Sequence, residues 1–268
     1  MPKIEKLTSK HASIPVNETA TERLVKSSER VRDLGEVFTP SAIVLDILNL
    51  LPEEAWQPHP SKTFLEPACG DGNFLVAILA KKLDAISIGT SSDAFNQSIN
   101  TNHTLALEAL ASIYGVDISP DNIIGGTPGH EIGARERLLT LFTDWFADLL
   151  CEKLEDDDPI MLSAKWIVTQ NILVGNMLPF EANGQPSGRS NIPLIEYDWN
   201  IEAAKVSISS TTLGDVMESA EVEIGEAVSL FGATPAKHLW TGKIEDLHEV
   251  ATEQSTTRHG RKGGKRDL

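Results

Sequence analysis

The stretch "FLEPACGDGNFL", from Phe64 to Leu75, constrains this chain more than any other. A short apolar run leads into an acid and a proline. Gly70 and Gly72 follow, and then an apolar pattern of helical period. A strand that turns this sharply into a helix is the building unit of an α/β fold. The turn lies where open parallel sheets bind ligands, at the carboxyl ends of their strands. Glycine tolerates positive φ there and lets a ligand reach the backbone. The loop has neither the Gly-x-Gly-x-x-Gly of dinucleotide binders nor the lysine of a phosphate loop. A tight turn without a ligand would use the same two glycines, so the pair alone names nothing.

A second strand narrows the choice. "IYGVD" ends in Asp117, whose carboxylate can accept from both hydroxyls of a ribose. An acidic loop beside a ribose-binding acid suits a nucleoside cofactor that carries positive charge better than one that carries phosphates.

The chain divides by composition. Residues 1–16 are polar and read as a disordered terminus. Residues 17–62 read as a helical segment. In it "NETATERLVKSSERVRDL" (Asn17–Leu34) is amphipathic, Gly35 suits its stop, and Thr39 can cap a further helix with Pro40 at its first position. Residues 63–200 read as an α/β core. Strands are expected at "KTFLEP", at "IYGVD", within "KWIVTQNILVGNML" and in "NIPLIEYDWNI". Helices are expected at "NFLVAILAKKL", in "LALEALA" and over 131–154. Residues 84–103, rich in Ser, Asn and Thr, read as a loop, and "GGTPGH" as a break. Residues 201–250 read as a C-terminal extension whose apolar stretch "SLFGATPAKHLWTG" packs back on the core. Residues 251–268 read as a disordered basic tail. Strands alternate with helices, so the expected fold is α/β with a mainly parallel sheet.

Three motifs in order, "GEVFTP", "FLEPACGDGNFL" and "IYGVDISPDNI", resemble the S-adenosylmethionine-binding motifs of adenine-specific DNA methyltransferases, in particular the methylase subunits of restriction–modification systems. The resemblance covers roughly residues 30–180. It implies a Rossmann-like class I methyltransferase fold and S-adenosylmethionine as cofactor. It also assigns roles. Thr39 would meet the methionine carboxylate. Glu66, Ala68 and Gly70 would line the methionine portion, with Gly72 allowing close approach. Asp117 would bind the ribose and Ile118 would pack on the adenine ring. Asn176, in "NILVGNML", stands where an acid often meets the adenine amino group; an amide carbonyl can accept the same bond.

The family's catalytic motif is missing. It consists of Asp or Asn, two prolines and an aromatic. The side-chain oxygen and a proline carbonyl accept from the target amino group, and the aromatic stacks on a flipped base. The 14 prolines of this sequence include no Pro-Pro. At the expected place stands "NIPLIEYDWNI", where Asp198 and Asn200 are weak candidates for the acceptor. On an extended strand Tyr197 and Trp199 would face one side and Asp198 the other. Few residues follow Asn176 for the further strands a complete sheet needs, so the fold is expected to be incomplete at its C-terminal end.

Charge agrees with that shortage. The net charge is −16 and the pI near 4.8, whereas a self-sufficient DNA-binding domain is usually basic. DNA contact would run through a partner, such as a specificity or restriction subunit, and through the basic tail "RHGRKGGKRDL". A merely solubilising tail fits the same residues. Two cysteines make no disulfide framework, no zinc spacing is present, and no apolar run is long enough to span a membrane. The start lacks the apolar core of a signal peptide, so a cytoplasmic protein is expected. "AVSLFG" (Ala227–Gly232) resembles the short peptide that docks on the DNA sliding clamp, but its leading Gln is absent and Leu230 and Phe231 suit core contacts better. Three functions stay open: a DNA (adenine-N6) methyltransferase or its modification subunit, a methyltransferase-like binding module without activity, and a methyltransferase for RNA or a small molecule.

Overall fold

A computed structural model describes residue 32 and residues 39–91, 99–127, 130–222 and 236–250. The readings of residues 1–16, of most of the helix Asn17–Leu34, of Gly35–Phe38 in "GEVFTP", of "AVSLFG" and of the basic tail lie outside the described residues. The elements, in chain order, are α1 (Ser41–Leu48), β1 (Phe64–Glu66), α2 (Asn73–Ser91), α3 (Ile99–Ala111), β2 (Ile113–Asp117), α4 (Pro120–Ile123), β3 (Gly125–Thr127) and β4 (His130–Ile132). They continue with α5 (Ala134–Leu149), α6 (Pro159–Asn171), β5 (Ile172–Val174), β6 (Pro193–Asn200), β7 (Lys205–Thr212), α7 (Leu213–Val222) and β8 (Lys237–Lys243).

The fold is mixed α/β. Three strands form a parallel sheet in the order β1-β2-β5, flanked by helices. Phe64 pairs with Ile113, and Asp117 with Val174. The central strand β2 is buried along nearly its whole length, as a parallel strand covered on both faces must be. Its side chains alternate. Tyr114 and Val116 face a cluster with Ile192, Leu194, Leu213 and Val216. Ile113 faces the larger core with Leu75, Leu79, Phe142 and Phe146. Gly115 lies on that second face, where a Cβ would sit 2.7 Å from Leu75 Cδ1, so the glycine lets α2 approach the sheet.

The second half departs from the expected mainly parallel sheet. β6, β7 and β8 form a separate antiparallel sheet. The physical reason is the tight connection over residues 201–204, with Ala204 at φ 49°. A link this short can only join antiparallel neighbours. Val206, Ile208, Ile244, Leu247 and Val250 share the core of the parallel sheet, and Leu239 and Trp240 pack against it. "GGTPGH" contributes to the small antiparallel pair β3-β4.

Helices also reach further than composition suggests. The polar stretch 84–103 belongs to α2 up to Ser91 and to α3 from Ile99. Buried Leu83 and Ile86 hold the first, and buried Leu105, Leu107 and Leu110 hold the second. Packing of one apolar face outweighs weak intrinsic propensity. Most of "KWIVTQNILVGNML" before the strand is likewise helix: α6 begins with Pro159 at its first position, buries Trp166 and Ile167, and leaves only Ile172–Val174 as β5. Among the described residues no helix is long and apolar enough to cross a membrane.

One polar cluster at the start of β1 reaches from the surface into the core, where it holds Lys82 and Glu108. Lys82, on α2, is 1% exposed. Its Nζ donates to Ser61 Oγ and to the Lys62 carbonyl, both at 2.7 Å. Glu108, on α3, accepts from His59 Nδ1 and from the Ser61 amide, both at 2.8 Å. Burial pushes the Lys82 ammonium from 10.5 down to about 7, against the pull of Glu108. Burial likewise raises the Glu108 carboxyl above its ordinary value. For Lys82 the folded pKa lies below the unfolded one. The cost of the buried ammonium is therefore fully present below about pH 7 and is relieved as pH climbs toward 10.5. In urea titrations from about pH 7 to 10, the unfolding midpoint should rise for the wild type, and Lys82→Met should lose that rise. Equal slopes in the two proteins would refute the assignment.

Candidate functional site

The strands of the parallel sheet direct their carboxyl ends to one edge, from which the loops 67–72, 118–119 and 175–192 depart. Asp117 is bonded to all three. Its Oδ2 accepts from the Gly70 amide at 3.0 Å. Its Oδ1 accepts from the Ser119 amide at 2.8 Å and from Asn122 Nδ2 at 2.9 Å. Its backbone carbonyl accepts from the Gly175 amide at 2.9 Å. A carboxylate offers about four lone-pair sites. With three in use, one is left for a ligand hydroxyl, rather than the two that a pair of ribose hydroxyls would need.

The glycine loop is held at both ends. Gly70 and Gly72 have φ of 54° and 95°. The Cys69 amide donates to the Val116 carbonyl at 3.0 Å, and the Gly72 amide to the Cys69 carbonyl at 2.9 Å. A Cβ on Gly72 would lie 3.0 Å from Ala134 Cβ. Close packing of α5 therefore requires this glycine, whatever a ligand requires. Glu66 accepts from the Ala68 amide at 3.3 Å, and Ala68 itself is exposed. The buried Cys69 thiol registers the local field. Desolvation raises its pKa most, and the charges of Asp117, Glu66 and Asp71 raise it further. The thiol therefore stays protonated.

A second network reaches the loop from α5. Arg137 Nη1 donates to the Asp71 carbonyl at 2.8 Å, and Nη2 donates to Asn73 Oδ1 at 2.9 Å. Nη1 also lies 3.0 Å from Asp71 Oδ1, an ion pair without hydrogen-bond alignment. Asn73 Nδ2 in turn donates to the Thr39 carbonyl at 3.0 Å. Thr39 is thus brought to the glycine loop through its backbone. It does not cap α1: Pro40 occupies the N-cap position and no side chain caps the helix.

The other assigned residues separate into two groups. Ile118, 49% exposed, follows Asp117 at the carboxyl edge. Asn176 leaves the same edge after β5, and its Oδ1 accepts from the Leu178 amide at 3.0 Å, closing a local turn. Asp198 and Asn200 are elsewhere. β6 starts at the carboxyl edge, where Ile192 lies beside Gly175. By Tyr197 it has reached the opposite edge: the Tyr197 hydroxyl donates to Asn171 Oδ1 at 3.1 Å, and Asn171 donates to the carbonyl of Ala111, just before β2. Tyr197 and Trp199 pack on the core and Asp198 is exposed, in the alternation read from the sequence. Asn200 accepts from the Ala203 amide in the turn at 2.9 Å. The structure does not bring either residue to Glu66, Asp117 and Asn176.

Sequence reasoning missed Asn122, Asn73, Ala134 and Arg137. Asn122 had a local signal, since Pro120 starts a single helical turn that returns its side chain to Asp117. Arg137 had none, being far from the loop in sequence. Among the described residues no three His, Cys, Asp or Glu side chains gather as metal ligands do. No protein-family model, no curated protein and no solved structure matches this chain.

Gly72→Ala tests the packing role without any ligand. The added methyl meets Ala134 and the backbone keeps a positive φ, so stability should fall by about 1–3 kcal/mol. An unchanged urea midpoint would show that α5 can shift off the loop at no cost.

Proposed function

We propose that the chain is an S-adenosylmethionine-binding domain of Rossmann-like class I methyltransferase type. It serves as the modification subunit of a restriction–modification system and acts on adenine N6 of DNA with a partner polypeptide. The observation that carries this reading is the Asp117 carboxylate, which receives the Gly70 amide across the β1-β2 edge and keeps one acceptor site for a ribose hydroxyl. The three sequence motifs support it, and so does the acidic field at Cys69, which suits a sulfonium cation.

In this reading the bound cofactor supplies an electrophilic methyl group. The chain's own residues orient it. Asp117 holds the ribose, Ile118 covers the adenine, and the loop from Glu66 to Gly72 with Thr39 holds the methionine end. Asn176 contributes an amide oxygen already shared with Leu178. Activation of the target amine is not assigned to Asp198 or Asn200, which lie at the other edge. That location, together with the missing Pro-Pro, favours a second reading: a binding module that holds the cofactor and works through protein contacts.

Calorimetry with S-adenosylmethionine should show one site, and Asp117→Ala should weaken it by about tenfold to a hundredfold, as loss of a charged acceptor implies. A folded protein with no binding at millimolar cofactor would end both readings. In a labelled-methyl assay on mixed-sequence DNA the isolated chain should show little or no transfer. Robust transfer without a partner would overturn the modular reading.

A further inference from the structure

We propose that Arg137 is a positioning residue for the methionine end of the cofactor, an inference that rests on the S-adenosylmethionine reading above. Its guanidinium joins α5 to the glycine loop and, through Asn73, to Thr39. It reaches out of α5, bonds the Asp71 carbonyl at 2.8 Å and Asn73 Oδ1 at 2.9 Å, and stands 3.0 Å from the Asp71 carboxylate. Asn73 is oriented by this contact. With its oxygen turned to Arg137, its amide nitrogen points at the Thr39 carbonyl, 3.0 Å away. The bond that ties the glycine loop to Thr39 is therefore oriented by one planar fork. Only a guanidinium offers two parallel donors in this geometry; a lysine ammonium is a single point charge on a flexible stem.

At the nucleoside end Asp117 takes its direction from Ser119 and Asn122 through Oδ1, within its own loop and the following turn, and meets the glycine loop at the Gly70 amide, ahead of the two residues that Arg137 bonds. Loosening the Arg137 fork should thus move Asp71, Asn73 and Thr39 while leaving the ribose acceptor in place. The affinity of a ligand that carries the amino-acid chain depends on Arg137, and the affinity of one that ends at the nucleoside does not.

The test compares wild type with Arg137→Lys and Arg137→Ala. Calorimetry is run with S-adenosylmethionine and with 5′-methylthioadenosine, which lacks the amino-acid chain. Arg137→Lys should bind S-adenosylmethionine about tenfold more weakly, the loss of roughly one charge-assisted hydrogen bond, and 5′-methylthioadenosine unchanged. Added guanidinium ion at low millimolar concentration should restore part of the affinity of Arg137→Ala. Equal weakening of both ligands would mean a general structural defect and would overturn the proposal, as would equal binding by wild type and variant. Hydrogen exchange without ligand provides a readout independent of the cofactor. The amides of residues 71–73 should exchange faster in Arg137→Lys while those of Cys69, Gly70 and β2, bonded to the Asp117 side, stay protected; unchanged exchange at 71–73 would show that the fork does not hold the loop. If wild type binds neither ligand, the cofactor reading fails and this role for Arg137 fails with it, whatever the exchange data show.

Discussion

The carboxylate of Asp117 is the constraint on which the carboxyl edge of the parallel sheet depends. A parallel sheet gives its strands a common direction but leaves the loops beyond them free to diverge. Here one side chain gathers them. It draws the Gly70 amide in from the neighbouring strand's loop and fixes its own loop through Ser119 and Asn122. Hydrogen bonds to a charged acceptor are roughly twice as strong as neutral ones. Gly70, whose amide makes this bond, stands at φ 54°, a conformation glycine adopts without steric cost and from which the chain turns into α2.

The first turn of α5 supplies the opposing wall. Ala134 is small enough to touch Gly72, and one turn later Arg137 reaches around to the loop carbonyl. The rest of the helix anchors this turn by burying Leu138, Phe142 and Phe146. Each such side chain contributes about 1.5–3 kcal/mol when removed from water. A rigid amphipathic helix therefore holds two contacts against a loop that has no side chains of its own to pack at either glycine.

Three carboxylates, those of Glu66, Asp71 and Asp117, stand around the buried Cys69, and Arg137 pairs with that of Asp71. β6 to β8 form a separate antiparallel sheet, and none of these strands extends the parallel sheet itself.

The sequence by itself determined the local unit. Phe64–Glu66, the two glycines and α2 were legible because a strand, a turn of positive φ and an apolar helix each leave their pattern within a few residues. Asp117 at the end of "IYGVD" was legible for the same reason, and so was the alternation that packs Tyr197 on the core and exposes Asp198. Tertiary structure decided the rest. It drew helix from the polar stretch 84–103, because buried Leu and Ile on one face outweigh the solubility of the other. It turned β6 into an antiparallel strand, through a short turn whose pairing shows only when the chain folds back. It carried Asp198 to the far edge of the sheet. It gave Gly72 a neighbour in Ala134 and Asp71 a neighbour in Arg137, across about 60 residues of chain. Local pattern records the period at which a segment meets an interface. Which segment stands across that interface is fixed only by the packing of the whole core.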